Sequence, residues 1–292
     1  MRRTLWNLSV AACLGIVPPA AQTASPPFTH LYVFGDSYCD VGNIFIATGG
    51  AEPAAPYYNG RFSNGPLWVD HVAGYLGRPL KPSLMPGGTD FAFGGAQVTG
   101  PVVTPEGTIP SVPQQVALYL EAALGKADPN ALYILEGGGN DILNATSGSP
   151  QQLGYQIAVG IAESEFLLRE AGARHFLIPN LFNVGLLPAA QTKSAFATAA
   201  STAANQWLNK LLVLESLLEG VHIVRLDVFD LMNAVQTAPT HFGFANVTTP
   251  CLTPTVCADP DHTLFWDIEH PTEFGHAFFA VTVENTFATQ PW

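Results

Sequence analysis

A serine hydroxyl is a weak nucleophile until a base takes its proton, and an imidazole that titrates near neutrality is suited to take it. The chain carries the parts for this chemistry in four separate clusters: Gly35-Asp36-Ser37, Gly94-Gly95, Gly139-Asn140-Asp141 and Asp267-Ile268-Glu269-His270. Asp267 lies three residues before His270, so one loop can bring carboxylate and imidazole together and fix the tautomer. A tetrahedral intermediate needs fixed donors aimed at its oxyanion. The backbone N–H groups of Ser37 and Gly95 and the side-chain amide of Asn140 could supply three, although the doublet lets Gly94 stand for Gly95. Together the clusters predict acyl transfer, with Ser37 as nucleophile, His270 as base and Asp267 as its orienting acid.

Each residue has a plainer role when taken alone. Ser37 suits a helix N-cap, and the asparagine, aspartates and glycines suit turns. Asp36 and Asp141 read as neighbours that hydrogen-bond the loops. Cys39, two residues past Ser37, reads as an apolar filler, with a nucleophilic thiol as the alternative. Other chemistries lack their signatures: the chain has no Gly-x-Ser-x-Gly, His-Glu-x-x-His, Cys-x-x-Cys or Gly-x-x-x-x-Gly-Lys. Asp259, Asp261, His262 and His276 show no recognised metal-ligand spacing and read as solvated loop. No metal and no cofactor is expected.

The elements that must position these clusters alternate. Apolar, β-prone runs fall at 31–34, 91–93, 131–135, 175–178 and 221–226, and helical spacing at 67–76, 112–124, 151–171, 192–218 and 271–287. The last run opens with Pro271, a residue suited to a first helical turn. Apolar strands separated by helices imply a parallel sheet covered on both faces, with sites at the carboxyl ends of its strands. Three of the four polar clusters fall there; the fourth precedes the last helix. Sizeable loops are expected at 48–62 and 242–265.

In this arrangement Val33-Phe34-Gly35-Asp36-Ser37 resembles the first block of the GDSL, or SGNH, hydrolase family. Phe91-Ala92-Phe93-Gly94-Gly95-Ala96 resembles its glycine block, Gly139-Asn140-Asp141 its asparagine block and Asp267 to His270 its final block, all in family order. Gly60-Arg61-Phe62-Ser63-Asn64-Gly65-Pro66-Leu67-Trp68 and the run from Phe265 through Thr272 look like the secreted lipase-like branch. The resemblance implies an α/β fold of flavodoxin-like, three-layer α/β/α type with a mostly parallel central sheet. It also implies hydrolysis of carboxylic esters by Ser37, Asp267 and His270, with oxyanion donors at Ser37, Gly95 and Asn140.

Composition agrees with an exported enzyme. The 292 residues are 48% hydrophobic and 12% charged, too apolar for a disordered chain. With 11 Lys plus Arg against 23 Asp plus Glu, the net charge is −12, which excludes nucleic acid as a main partner and disfavours anionic membranes. Arg2 and Arg3 ahead of a short apolar run and small residues read as a signal peptide over 1–24, leaving a single catalytic domain at 25–292 in a secreted or periplasmic protein. Cys13 sits in a run that mimics a lipid-attachment box, but the apolar stretch before it is too short. No segment is long and apolar enough to span a bilayer. In an oxidising compartment Cys251 and Cys257, bracketing five residues, are expected to form a disulfide. The expected substrate is a small-molecule ester or a lipid: short- to medium-chain acyl esters, with lipid and choline esters as candidates. The alternatives are an acyltransferase or phospholipase on the same triad, and a non-catalytic lipid- or glycan-binding module.

Overall fold

Strand residues that alternate between two apolar faces need a helical layer on each side, and the chain supplies both. A computed structural model describes residues 28–289 apart from residue 216; the expected export segment 1–24, with Cys13, lies outside the described residues. In chain order the elements are β1 (Leu31–Phe34), α1 (Asn43–Ala47), α2 (Trp68–Leu76), β2 (Val102–Thr104), β3 (Gly107–Ile109), α3 (Val112–Ala122) and β4 (Leu132–Leu135). They continue with α4 (Gly139–Asn144), α5 (Pro150–Glu170), β5 (His175–Pro179), α6 (Ser194–Glu215), β6 (His222–Leu226), α7 (Val228–Thr237) and α8 (Glu273–Thr289).

The central sheet is parallel, in the order β1-β4-β5-β6. Tyr133 and Leu135 of β4 enter one core with Val116 of α3, Ile157 of α5 and Ala200 of α6. Leu132 and Ile134 enter the other, with Val69 and Val72 of α2 and Val283 of α8. These are the three layers that the sequence implied. On the first face, Gly154 lets α5 and α6 touch: a Cβ there would lie 2.6 Å from the Ala200 carbonyl oxygen.

The 91–93 run does not become a full strand. It lies along the free edge of β1, where Phe91 and Phe93 N–H groups donate to Val33 and Gly35 carbonyls and Asp90 bridges Val33 in parallel. Asp90 turns its carboxylate onto the Val41 and Ala92 N–H groups. Counting this segment as the second strand gives the flavodoxin order 2-1-3-4-5, with its switch point between β1 and β4.

Pro271 also departs from expectation. It stands two residues outside α8, where it pairs with Phe265 in an antiparallel bridge that closes the 265–271 loop. The long helix expected over 192–218 is shorter, with a 3-10 turn over Pro188–Lys193 before it. α1, α4, α7 and the β2–β3 hairpin were not foreseen; α1, α4 and the hairpin strands are short, whereas α7 carries Val228, Leu231, Met232 and Val235 at helical spacing and was readable. No helix among the described residues is long and apolar enough to cross a membrane.

Candidate active site

Ser37 is carried on the turn that leaves β1 at the switch point. The turn is clamped from α3: Gln115, fully buried, accepts from the Gly35 N–H at 2.9 Å and donates to the Gly35 carbonyl at 2.9 Å. The Asp36 carbonyl accepts from the Cys39 and Asp40 N–H groups, so the chain coils tightly past the serine. Cys39 is fully buried, and its thiol points at Glu136 Oε2, 3.7 Å away. Burial, with the Glu136 charge added, pushes that thiol well above its ordinary range, which disfavours the nucleophilic thiolate.

Asp267 and His270 come from the loop ahead of α8. Asp267 Oδ1 accepts from the N–H groups of Glu269 and His270, both at 2.7 Å, which winds the short Asp-x-x-His segment into a turn. The same carboxylate accepts from His270 Nδ1 at 2.7 Å through Oδ2. With Nδ1 donating there, Nε2 is the acceptor that faces the Ser37 hydroxyl at 2.8 Å. Burial alone would raise Asp267, but the His270 hydrogen bond and charge, with the Tyr57 hydroxyl and Glu269 N–H, hold it down to about 2. Burial alone would lower His270, and the bond to Asp267, its charge and that of Glu269 raise it instead. The ion-stabilising partner wins at both groups because the distance between them is short and water is excluded.

Three residues that the sequence reading missed complete the frame. Tyr57, from the 48–62 loop, donates its hydroxyl to Asp267 Oδ2 at 2.7 Å. Tyr38 donates to the Glu269 carbonyl at 2.6 Å and so ties the Ser37 turn to the histidine loop. Asp40, fully buried, accepts from the N–H groups of Gly42, Asn43 and Ile44 and also of Gly94. Asp40 ahead of Gly42-Asn43 was readable as a turn former, whereas nothing in the spacing links Tyr57 to Asp267. The Ser63-Asn64 pair, part of the segment singled out by resemblance, braces the far end of the same loop. Ser63 Oγ donates to the Pro271 carbonyl at 2.9 Å, and Asn64 Oδ1 accepts from Glu273 N–H at 2.7 Å.

The glycine block is placed by two carboxylates. Asp40 takes the Gly94 N–H at 2.8 Å, while Asp141, at the start of α4, takes Val98 N–H, Thr99 N–H and the Thr99 hydroxyl. Between them the N–H of Gly95, a residue at φ 79°, has no partner among the described residues, and neither has that of Ser37. The left-handed φ at Gly95 is a conformation that costs a glycine little. The Asn140 amide donates to the Ala96 carbonyl at 3.0 Å and more loosely to Asp36 Oδ2 at 3.3 Å.

Ser37 and His270 open on one side into a cleft of about 320 Å³, walled by Ile44, Phe62, Phe93 and Ile109 and rimmed by Glu52 and Glu106. On the other side they meet a small recess with Leu143, Phe182 and Leu187. Cys251 and Cys257 form a disulfide, and the stapled loop is hydrogen-bonded to Phe265 and Trp266, directly before Asp267. His262 and Asp259 pair with each other on an exposed turn, and no group of three or more candidate metal ligands occurs among the described residues.

A family model described as GDSL-like lipase/acylhydrolase matches residues 31–282. Among curated proteins the chain is similar to the thermolabile hemolysin of Vibrio parahaemolyticus, with 27% identity over 84% of this chain and 60% of that one. It is 29% identical to an uncharacterized protein of the trpE-trpG intergenic region of Pseudomonas putida, over 100% of this chain and 53% of that one. It is 28% identical to the phosphatidylcholine-sterol acyltransferase of Aeromonas hydrophila, over 82% of this chain and 70% of that one. The chain thus spans little more than half the length of the first two relatives.

Proposed function

The chain belongs to the GDSL-like lipase/acylhydrolase family, and we propose that it is a secreted or periplasmic serine hydrolase that cleaves carboxylic esters through an acyl-enzyme on Ser37. The observation that carries this reading is the continuous relay from the Ser37 hydroxyl to His270 Nε2 at 2.8 Å and from His270 Nδ1 to Asp267 at 2.7 Å. In the acylation step Ser37 Oγ attacks the ester carbonyl carbon while its proton passes to His270 Nε2. Asp267 stays ionised, as its lowered pKa requires, and stabilises the imidazolium. The oxyanion is received by the N–H groups of Ser37 and Gly95 and by Asn140. Gly95 is favoured over Gly94 because Asp40 already holds the Gly94 N–H. Collapse of the intermediate expels the alkoxide, which takes the proton from His270, and a water molecule repeats the sequence to free the acid.

Export over 1–24 and an oxidising compartment agree with the Cys251–Cys257 bond. Similarity to an acyltransferase supports a second reading, in which an alcohol rather than water takes the acyl group from Ser37. Product analysis with and without an acceptor alcohol separates the two. The relay argues against a non-catalytic lipid- or glycan-binding module, for which an oriented nucleophile serves no purpose. Ser37→Ala should abolish hydrolysis of p-nitrophenyl esters and leave the circular dichroism spectrum and melting temperature near those of the parent. Substantial esterase activity in that variant would remove the reading.

A further inference from the structure

Behind the histidine loop, on the far side of Tyr38 from the cleft, lies a second cavity of about 70 Å³, enclosed by α7, α8 and the carboxyl ends of β4 and β5. Its walls are formed chiefly by Trp68, Phe182, Met232, Val235, Leu264 and Phe278. Two ionisable groups share the lining, Glu136 and His276. Burial, with the Asp36 charge added, pushes Glu136 well above the usual carboxylate range. Burial, with the charges of His270 and His71, pushes His276 down to about 3. Burial thus disfavours the charged form of both, and the lining has no Lys, Arg or Asp. The volume exceeds the roughly 10–15 Å³ that one water needs, and the polar side chains on the lining are Tyr38, Glu136, Asn180 and His276, whose buried Nε2 has no partner among the described residues. The rest of the wall is apolar, and against it each carbon of an aliphatic group leaves water for apolar contact.

The cavity adjoins the chemistry. Tyr38 and Phe182 stack at 4.9 Å and 13°, and both line this cavity as well as the recess that holds Ser37, Asn140 and His270. The Tyr38 hydroxyl is anchored on the Glu269 carbonyl. The backbone beside Phe182 is pinned too, because Asn205 bonds both the N–H and the carbonyl of Leu181, at 2.8 and 2.7 Å. Passage from the recess into this cavity then requires the Phe182 ring, rather than the tied Tyr38, to turn aside. We propose that this chamber is the acyl-tail site, entered from Ser37 past the Phe182 ring and filled by the distal methylenes of a straight, medium-length acyl chain. A short acyl group ends in the recess and does not reach it. The proposal rests on the reading of Ser37 as the acyl-accepting nucleophile.

The test compares p-nitrophenyl butyrate with p-nitrophenyl decanoate on the parent, Val235→Phe and Met232→Phe. Both substitutions add bulk to the chamber from α7, away from the relay. Each methylene kept out of an apolar site costs roughly fourfold in kcat/KM. The decanoate-to-butyrate ratio should fall at least about tenfold, with the butyrate rate held within about twofold. Met232 lies at the half-buried edge of the chamber, so its variant carries the test where Val235→Phe fails to fold. Independently of turnover, decanoic acid brominated at its terminal carbon should quench Trp68 fluorescence in Ser37→Ala, and Trp68→Phe should remove that component. An unchanged ratio in folded variants, or quenching that survives Trp68→Phe, overturns the chamber assignment. Failure of the parent to hydrolyse either ester instead removes the esterase reading, and the quenching still decides what the chamber binds.

Discussion

The Tyr57 hydroxyl reaches Asp267 from 210 residues away and lands on the oxygen that also receives His270. One fewer donor on that oxygen leaves more negative charge for the imidazolium. Tyr57→Phe should therefore raise the His270 pKa further and move the acid limb of the kcat/KM profile to higher pH. In the parent that limb already lies above the ordinary histidine value, since His270 must be neutral to accept the serine proton and its pKa is raised. A Tyr57→Phe profile that loses amplitude without moving would make the bond merely structural. Asn140 gives a different signature. The hydrogen held loosely by Asp36 is the one free to turn toward an oxyanion. Asn140→Ala should lower kcat by roughly 10²–10³ with little change in KM. A raised KM at constant kcat would assign it to substrate binding alone.

At the scale of elements, the disulfide loop matters for where it is attached. Cys251 and Leu252 N–H groups donate to Phe265 and Trp266 carbonyls, so the staple supports the strand-like stretch that delivers Asp267. Closing so short a loop restricts the unfolded chain and is worth about 2 kcal/mol. Cys251→Ser with Cys257→Ser should lower the melting temperature accordingly and also reduce kcat, because the anchored edge before Asp267 loosens. Equal kcat with a lowered melting temperature would separate the staple from the site. Cys39 acts within its own turn: Cys39→Ala should keep most of the activity, as expected of a packed thiol without a catalytic role.

For the whole molecule, activity and stability should respond to alkali in opposite directions. Burial, with the neighbouring Asp40 charge added, raises Asp90 well above its ordinary value, and burial with the Asp36 charge does the same to Glu136. His270 is raised as well. A group whose folded pKa lies above its unfolded one stabilises the fold below the unfolded value and loses that contribution as pH rises through the folded value. The groups shifted the other way, Asp267 at about 2 and His276 at about 3, exchange protons between folded and unfolded chains at or below the ordinary histidine range. From about pH 6.5 upward the raised groups therefore dominate. The melting temperature should fall while kcat/KM climbs, and the net charge of −12 adds repulsion in the same sense. A melting temperature that rises steadily to pH 9 would contradict this balance.

The alternation of strands and helices and the identity of the chemical blocks are legible in the chain alone. Both depend on information that is local in the chain. A short apolar run such as Leu132–Leu135, followed at once by Gly137 to Gly139, suits a strand buried on both sides, and Asp267 three residues before His270 closes its own turn. The ends of elements followed less well. The 91–93 segment settled along the edge of β1 without becoming a full strand, and Pro271 closed a loop instead of opening a helix, because each answered to a partner distant in sequence. Which glycine N–H remains open is set by packing in three dimensions, since it depends on Asp40 reaching Gly94 across 54 residues. Tyr57 on Asp267, Gln115 on Gly35 and the chamber behind Tyr38 are of the same kind. They exist only where loops from different strands converge at the switch point. No periodicity or spacing encodes such meetings, because the distance between two side chains on separate loops is fixed by the packing of the layers beneath them.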